Sequence, residues 1–276
     1  MCGIVGIMFS PQSCSIMDTV GGRLDTASEL IAHRGPDDQG IYSDPDHGIA
    51  SAHRRLSILD LSPLGHQPMA SQDGSVVLVF NGEIYNFQAL RAELDAQGVA
   101  FQGHSDTEVL LNLYLAEGEA MLPRLNGIFA FALWDRRNQS LLLARDALGV
   151  KPLYYAAPPD RFAFASEIKA LLPLLPEAGG LDFEGLQRYL TFLWCPGEGT
   201  PLQSVRKLLP GEAMLVQAGR ITRRWSWYQL PVFRGLSPSL SEREAVAGTL
   251  GHLRAAVQRQ MVADVPLGAF LSGGLD

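Results

Sequence analysis

Two runs of β-branched, aromatic and other apolar residues, each ended by turn-forming residues, most constrain how this chain can fold. Val76–Phe80 precedes Asn81-Gly82, and Gly127–Trp134 precedes the polar segment Asp135–Asn138. Runs of this length bounded by Gly, Asn and Asp predict β-strands joined by tight connections. The first half of the chain is therefore predicted to contain an antiparallel sheet.

Helical periodicity lies between the predicted strands. Ser105 is a suitable N-cap residue, and the acids Asp106 and Glu108 behind it suit the positive end of a helix dipole. Strands interleaved with amphipathic helices that cover them predict an α+β domain. The predicted helices are Thr26–Ala32, Phe87–Gln97, Thr107–Glu117 and Phe183–Phe192.

The composition changes after about Pro196, where a domain boundary is expected. Pro, Gly and Ser are frequent in Pro196–Pro201 and in Pro231–Ser241, which predicts connecting segments on either side of a hairpin at Leu208–Trp225. The expected division is a first domain over residues 1–207, a linker with the hairpin over 208–240, and the truncated start of a second domain over 241–276.

The segment after the linker begins with a helix. Ser241 and Glu244 have the spacing of a capping box, so a helix is expected to run to about Val262. The apolar run Val265–Leu271 then predicts a short strand that leads into Ser272-Gly273-Gly274. Glycines after a strand allow backbone N–H groups to bind an anion.

Charge and cysteine content exclude several classes of protein. With 29 acidic and 22 basic residues the net charge is −7, which argues against nucleic acid and anionic membranes as partners. Cys2, Cys14 and Cys195 are too few for a disulfide framework and too irregularly spaced for a CxxC site, so no metal is expected. Neither Ile4–Phe9 nor Ile128–Trp134 suits a secretory signal or a membrane helix. A soluble cytoplasmic protein is predicted.

The histidines of the first half do not indicate a metal ligand or a general base either. No two of them lie at i and i+4 on a predicted helix. His33 and His53 stand in segments rich in Gly or Arg, where hydrogen bonds to the loop backbone are expected. The histidines considered are His33, His53, His66 and His104.

Cys2 is the strongest candidate for a catalytic residue. Removal of Met1 would leave a thiol and a free α-amine on one residue, which supplies a nucleophile and a general base that both titrate near neutral pH. The alternative is that Cys2 is a small apolar residue at the start of a strand. Position alone favours this simpler interpretation.

Further segments raise the weight of the catalytic interpretation. Through a set of motifs that follow one another in a fixed order, the chain resembles the class II glutamine amidotransferases, which hydrolyse glutamine to glutamate and ammonia. The resemblance covers essentially the whole chain and implies an N-terminal-nucleophile fold, an αββα sandwich of two antiparallel sheets, over about residues 1–207. The segments that carry it are MCGIVGI from Met1, HRGPDD from His33, HRRLSILD from His53, NGEIYN from Asn81, SDTE from Ser105, RDALGVKPLYY from Arg145 and FASEIKAL from Phe164.

A thiolate that attacks a carboxamide creates an oxyanion, which needs hydrogen-bond donors already aimed at it. Asn81 offers a side-chain amide, and Gly82 lets its backbone N–H approach a ligand without a Cβ in the way. Asn-Gly after a strand is also a common hairpin turn, and the two residues alone favour that turn. The resemblance implies instead that Asn81 and Gly82 form the oxyanion hole.

Glutamine also carries an α-carboxylate and an α-ammonium. Arg suits bidentate capture of a carboxylate, and Asp suits an ammonium. By the resemblance Arg55 binds the carboxylate and Asp106 the amine; taken alone, Arg54, Arg55 and Asp106 would be read as surface charges and a helix-terminal acid. The remaining residues that the resemblance places in the pocket are Glu83, Leu56 and Ile58.

The C-terminal Ser272-Gly273-Gly274-Leu275-Asp276 resembles the start of the pyrophosphate loop of ATP-dependent amide ligases. A glutaminase domain followed by this loop is similar to the asparagine synthetase family. The resemblance implies ATP and Mg²⁺ as cofactors of a longer protein that amidates L-aspartate, with L-glutamine as donor, and it allows a homodimer. Ser272, Gly273, Gly274 and Asp276 would belong to an incomplete ATP site, and this chain alone is expected to retain only glutaminase activity.

Two alternatives remain open. A related amide ligase could act on another carboxylate acceptor, such as a sugar, a peptide or a cell-envelope component. A non-catalytic interaction module could use the same fold only to bind partners. Release of ammonia from glutamine separates this module from any enzyme.

Overall fold

The computed structural model describes residues 1–11, 17–175, 177, 180–232 and 240–274. Within these ranges the strands form two six-stranded antiparallel sheets that pack face to face, with helices against their outer faces. The α+β class and the αββα arrangement predicted from the sequence are thereby confirmed.

The first sheet places the N-terminal strand in its interior. Its strands are β1 (Gly3–Phe9), β2 (Asp38–Asp44), β3 (Ile49–Arg55), β8 (Tyr154–Ala156), β9 (Arg161–Ala165) and β10 (Arg206–Lys207). They lie in the order β10-β8-β9-β1-β3-β2, so β1 is hydrogen-bonded on both sides. Gly3 lies opposite Arg54 in this register, which brings the residue before β1 close to the end of β3.

The second sheet contains both runs from which the fold was predicted. Its strands are β4 (Met69–Ala70), β5 (Val76–Ile84), β6 (Gly127–Asp135), β7 (Ser140–Arg145), β11 (Glu212–Gln217) and β12 (Arg220–Ser226). They lie in the order β12-β11-β7-β6-β5-β4. The longest pairing joins β5 to β6, from Val76 opposite Asp135 to Ile84 opposite Gly127.

Each central strand sends alternate side chains into two different cores, as the period of two in a β-strand requires. In β1, Ile4 and Met8 pack between the two sheets, whereas Val5 and Ile7 pack against helices. In β6 the small residues face the other sheet together with Trp134, and the large ones face the helices. The three apolar layers explain why these strands carry apolar residues on both faces.

The helices are α1 (Met17–Glu29), α2 (Phe87–Ala96), α3 (Asp106–Glu117), α4 (Ile168–Leu171), α5 (Phe183–Phe192) and α6 (Glu242–Gln260). The Ser105 hydroxyl caps α3 by accepting a bond from the Glu108 amide at 3.2 Å. Ser241 and Glu244 form the predicted capping box at the start of α6. Both predicted caps are confirmed.

Three predictions of local structure differ from the structure. The helix expected over Thr26–Ala32 is wrong in its bounds, because α1 already includes Gly21-Gly22, which interrupt the apolar period without breaking the helix. No strand forms over Val265–Leu271 in the described chain, where Phe270 and Leu271 are exposed and no neighbouring strand supplies hydrogen bonds. The hairpin expected at Leu208–Trp225 forms as β11 and β12, but β11 pairs with β7 and so extends the second sheet. The division into domains stays a prediction.

Candidate active site

Cys2 lies at the entrance of β1, beside the end of β3. Its thiol is half-buried; the Leu56 amide donates to the sulfur at 3.4 Å, and the sulfur donates to the Leu56 carbonyl at 3.7 Å. The strand pairing that sets Gly3 opposite Arg54 fixes this contact. Leu56, predicted as a pocket residue, is therefore in direct contact with the predicted nucleophile.

The backbone of Cys2 is held by residues that the sequence analysis assigned no role. The Arg34 side chain donates from Nε to the Cys2 carbonyl at 2.8 Å and from Nη1 to Glu167 at 2.9 Å. Glu167 also bonds the His33 ring at 2.9 Å. Arg34 and Glu167 stand in HRGPDD and FASEIKAL, and the resemblance carried by these motifs was the only signal that could have drawn attention to them.

Burial dominates the titration of the thiol. It raises the pKa of Cys2, and the charge of Glu83 raises it further, while the Leu56 amide, the terminal ammonium and Arg55 oppose this shift. Burial also lowers the pKa of the terminal amine, which in this chain belongs to Met1. A buried thiol with a raised pKa needs a base to take its proton.

Asn81 and Gly82 lie inside β5 and not in a turn, which excludes the hairpin alternative. Asn81 is fully buried opposite Ala130, and neither Oδ1 nor Nδ2 of its amide has a hydrogen-bond partner among the described residues. An unpaired buried amide costs about 1–3 kcal/mol unless something binds it. A Cβ on Gly82 would overlap the Ile128 carbonyl and the Phe129 backbone, so the strand tolerates only glycine there.

Two side chains hold the residue that precedes Asn81. His53 on β3 is completely buried and its Nε2 contacts the Phe80 carbonyl at 2.9 Å, which links the two sheets. Burial lowers the pKa of His53 to about 4, so the ring is neutral at pH 7 and donates this bond. The Gln67 side-chain oxygen accepts from the Phe80 amide at 2.7 Å. His53 thus bonds backbone as expected, although this backbone belongs to a strand and not to a loop. The prediction for His33 is wrong, because its partner is the Glu167 side chain.

The two neighbouring arginines point to opposite sides of β3. Arg54 donates from Nε to the Ser28 hydroxyl at 2.9 Å and forms an ion pair with Glu29, so it belongs to the contact with α1. Arg55 is buried, and its Nη2 donates to the carbonyls of Leu59 and Asp60 at 2.9 and 2.7 Å. Of the two, only Arg55 is on the side of Cys2.

Glu83 and Asp106 bring two carboxyl groups into the same region. Asp106, at the start of α3, is buried and accepts a bond from the Ile84 amide at 2.9 Å. Burial raises the pKa of both groups, and the charge of Asp106 raises that of Glu83 further. The charge of Arg55 acts in the opposite direction on Asp106. A buried and a partly buried acid beside one arginine suit a ligand that carries both an ammonium and a carboxylate.

The structure therefore brings together all but one of the predicted glutaminase residues. Cys2, Leu56, Arg55, Glu83 and Asp106 are linked by hydrogen bonds or by their mutual effects on pKa. Asn81 and Gly82 immediately precede Glu83 on β5. Ile58 lies on the loop after β3, and its carbonyl faces the C-terminal segment, since it accepts a bond from the Asp264 amide at 2.9 Å.

The predicted ATP residues form no comparable site. Ser272, Gly273 and Gly274 are exposed, and the Gly274 amide bonds only the Ser272 hydroxyl, at 3.3 Å. Asp276 lies outside the described residues, as does Cys14. Up to Gly274, where the described part of this segment ends, the residues form no anion-binding cradle.

The described residues contain neither a metal-binding cluster nor a membrane-spanning helix. No group of three or more His, Cys, Asp and Glu side chains in these ranges is arranged to hold a metal ion. No helix in the part of the chain that the structure describes has the length and apolar character to cross a membrane.

Cys2 thus stands at the entrance of an interior strand in one of two antiparallel sheets that lie between helices. The chain belongs to the glutamine amidotransferase domain family, which matches residues 1–228. The asparagine synthase family matches residues 249–276.

Comparison with curated proteins gives relatives of two kinds. The chain is 37% identical over 277 residues to the glutamine-hydrolysing asparagine synthetase 1 of Bacillus subtilis, a match that covers 100% of this chain and 42% of that protein. It is 36% identical over 284 residues to the amidase chry2 of Gibberella zeae, with 100% and 41% covered. The chain thus spans less than half the length of these relatives.

Solved structures agree with the fold. The glutamine phosphoribosylpyrophosphate amidotransferase of B. subtilis, complexed with ADP and GMP, superimposes with a TM-score of 0.60 at 20% identity and covers 83% of this chain and 50% of its own. A structure described as the allosteric regulatory enzyme of purine biosynthesis gives a TM-score of 0.58 at 21% identity, again with 83% and 50% covered.

Proposed function

We propose that this chain is the glutaminase part of a glutamine-dependent asparagine synthetase. The observation that carries the proposal is the buried, unpaired amide of Asn81, one position before Gly82 on β5 and two before Glu83, whose charge acts on the Cys2 thiol. A buried amide without a partner is unfavourable in the protein alone and becomes useful when an oxyanion forms beside it.

The proposed chemistry begins after removal of Met1. The Cys2 amine takes the thiol proton, and the sulfur attacks the carboxamide carbon of glutamine to form a C–S bond. The oxyanion accepts hydrogen bonds from Asn81 Nδ2 and the Gly82 amide. The C–N bond then breaks as ammonia leaves with the proton from the Cys2 amine, and water hydrolyses the thioester to glutamate and regenerates the thiol.

Glutamine recognition is proposed for the surrounding charges. Arg55 binds the α-carboxylate and Asp106 the α-ammonium, with the Glu83 carboxyl near Asp106. Leu56 lines the pocket from the loop after β3. The raised pKa values of Glu83 and Asp106 support this assignment, because a bound ammonium stabilises both acids in their ionised forms.

The activity of the whole protein is a further part of the proposal. The match of residues 249–276 to the asparagine synthase family supports a second domain in which ammonia would convert aspartate to asparagine, with ATP and Mg²⁺ supplying the activation of the carboxylate. Relatives named amidases, at 36% and 35% identity, favour another acceptor as the second candidate. Assays of the longer protein with aspartate and with other carboxylates, in the presence of Mg-ATP, decide between them.

The glutaminase proposal is tested with this chain alone. Purified protein incubated with glutamine should release glutamate and ammonia in equal amounts, and intact-mass analysis should show the loss of one methionine. A protein that lacks Met1 yet releases no ammonia would favour the non-catalytic interaction module. Activity in a variant with a residue fused ahead of Cys2 would contradict the role of the α-amine.

A further inference from the structure

One residue of the C-terminal segment contacts the loop that carries the glutamine site. Asp264 Oδ2 accepts a hydrogen bond from the Asp60 amide at 2.7 Å and contacts the His104 Nε2 at 2.8 Å. The Asp264 amide donates to the Ile58 carbonyl at 2.9 Å. In the described chain, every hydrogen bond between residues 240–274 and the two-sheet domain is made by Asp264.

The contacted loop holds the predicted carboxylate-binding residue. Leu59 and Asp60, next to Ile58, present the two carbonyls that accept from Arg55 Nη2. Asp60 has a φ of 53°, in the left-handed region that residues other than glycine seldom adopt. A backbone in this conformation needs contacts on both sides to keep it in place.

The opposite side of the same loop is tied to the segment before α3. The Asp60 carboxylate accepts from the His104 amide at 2.9 Å and from the Ser62 hydroxyl at 2.5 Å. Asp106, the predicted ammonium ligand, follows His104 by two residues. Asp264 therefore bridges the two backbone segments from which Arg55 and Asp106 reach the site.

We infer that Asp264 is a positioning residue for glutamine binding, through which the region that matches the asparagine synthase family fixes the loop that holds Arg55. The inference rests on the proposed function, because it assumes that Arg55 binds the glutamine carboxylate. It adds to that function a physical connection between residues 240–274 and the site that is proposed to bind glutamine. Binding linkage makes the connection reciprocal, so that glutamine must also stabilise the contacts of Asp264.

Kinetics provide the first test. Asp264→Ala should raise the KM for glutamine about tenfold, equivalent to ~1.4 kcal/mol, with little change in kcat, because the hydrogen bonds of Asp264 go to Ile58, Asp60 and His104 and not to Cys2 or Asn81. Asp264→Asn keeps an oxygen that accepts from the Asp60 amide and should restore most of the affinity. Asp46→Ala, an exposed acid without a hydrogen bond to described residues, is the matched control and should behave as the wild type.

Hydrogen exchange provides the second test. In a Cys2→Ala background, which binds glutamine without turnover, added glutamine should slow exchange of the Asp264 amide, whose acceptor is the Ile58 carbonyl. The inference would be overturned by an unchanged KM in Asp264→Ala, or by a loss of kcat and a lower melting temperature without a KM effect. An exchange rate of the Asp264 amide that glutamine does not change would also overturn it. Absence of glutaminase activity in the wild type would instead reject the proposed function.

Discussion

The two-sheet domain and the C-terminal arm, residues 240–274, differ in how far their side chains are buried. In the domain, buried polar groups such as His53, Gln67 and Asp106 bond the backbone around the site. In the arm, α6 has no buried residue, and apolar side chains such as Leu253 and Met261 are more than half exposed. The domain therefore holds the groups of the site within itself, whereas the arm contacts it through the hydrogen bonds of Asp264 and the packing of Val262 against the core.

The largest expected effect is loss of the nucleophile in the domain. Cys2→Ala should lower the rate of glutamine hydrolysis by more than about a thousandfold, since no other group can form the thioester. Cys195→Ala is the control, because this thiol bonds only the Gly185 carbonyl, at 3.3 Å. Ammonia release is the measurement. If both variants lost activity equally, Cys2 would have no special role.

Removal of the buried amide should have the next largest effect. Asn81→Ala should lower kcat about 300-fold with a smaller change in KM, because its donor acts mainly once the oxyanion forms. Asn112→Ala, on the outer side of α3, should change neither constant. Steady-state kinetics distinguish the two, and a pure KM effect at Asn81 would contradict its role in the oxyanion hole.

The burial of His53 in the domain should make the stability of the protein depend on pH. His53 titrates near 6.5 when unfolded and at about 4 when folded, so the unfolded chain binds more protons between these values. Stability should therefore fall by up to about 3 kcal/mol as the pH drops from about 6.5 to about 4. His53→Gln should remove this pH dependence of stability. His252→Gln, which changes an exposed residue of α6, should leave it unchanged. Urea unfolding at pH 7 and pH 5 tests both.

Arg54 and Arg55 provide a comparison within one strand. Arg55→Ala should raise the KM for glutamine about thirtyfold, the effect of losing ~2 kcal/mol from a charge partner. Arg54→Ala loses only its contacts with Ser28 and Glu29, and Arg254→Ala changes only the arm. Equal KM values for Arg54→Ala and Arg55→Ala would show that the carboxylate is bound elsewhere.

The smallest effects are expected at the two helix caps. Ser105→Ala removes the cap of a helix packed into the core and should lower the free energy of unfolding of the domain by about 1 kcal/mol. Ser241→Ala removes an equivalent cap from α6, where fraying should appear only as faster hydrogen exchange in the first turn. A lower melting temperature of the domain in Ser241→Ala would show that the arm contributes more to stability than its exposure indicates.

Much of the fold followed from local signals. The strands around Val79 and Phe131 and the caps at Ser105 and Ser241 were predictable because their apolar periods and capping residues act over a few positions. The start of α1 was missed because Gly21 and Gly22 weaken its period. The strand expected after Val265 failed because pairing depends on a neighbouring strand, which a local pattern cannot supply.

The residues of the site also differ in how far the sequence alone could predict them. The position of Cys2 alone favoured a small apolar residue, and Asn81-Gly82 alone indicated a turn. Only the family resemblance favoured a nucleophile and an oxyanion hole at these residues. That the two residues continue a strand depends on β6, whose backbone lies against Gly82. The contacts of Arg34, His53 and Asp264 span 32, 27 and 204 positions of sequence, a separation that no local pattern reveals.

The interior position of β1 has a consequence for how this site can evolve. Cys2 enters a strand that is hydrogen-bonded on both sides, whereas Arg55 ends its strand and depends on the loop that follows. Under the proposed function, substitutions in that loop beyond Leu56 can change which donor is bound without moving the strand that carries the nucleophile. Reactivity and selectivity are thus inherited through separate parts of the scaffold, so a descendant of this domain can change its donor while it retains the bond-breaking step.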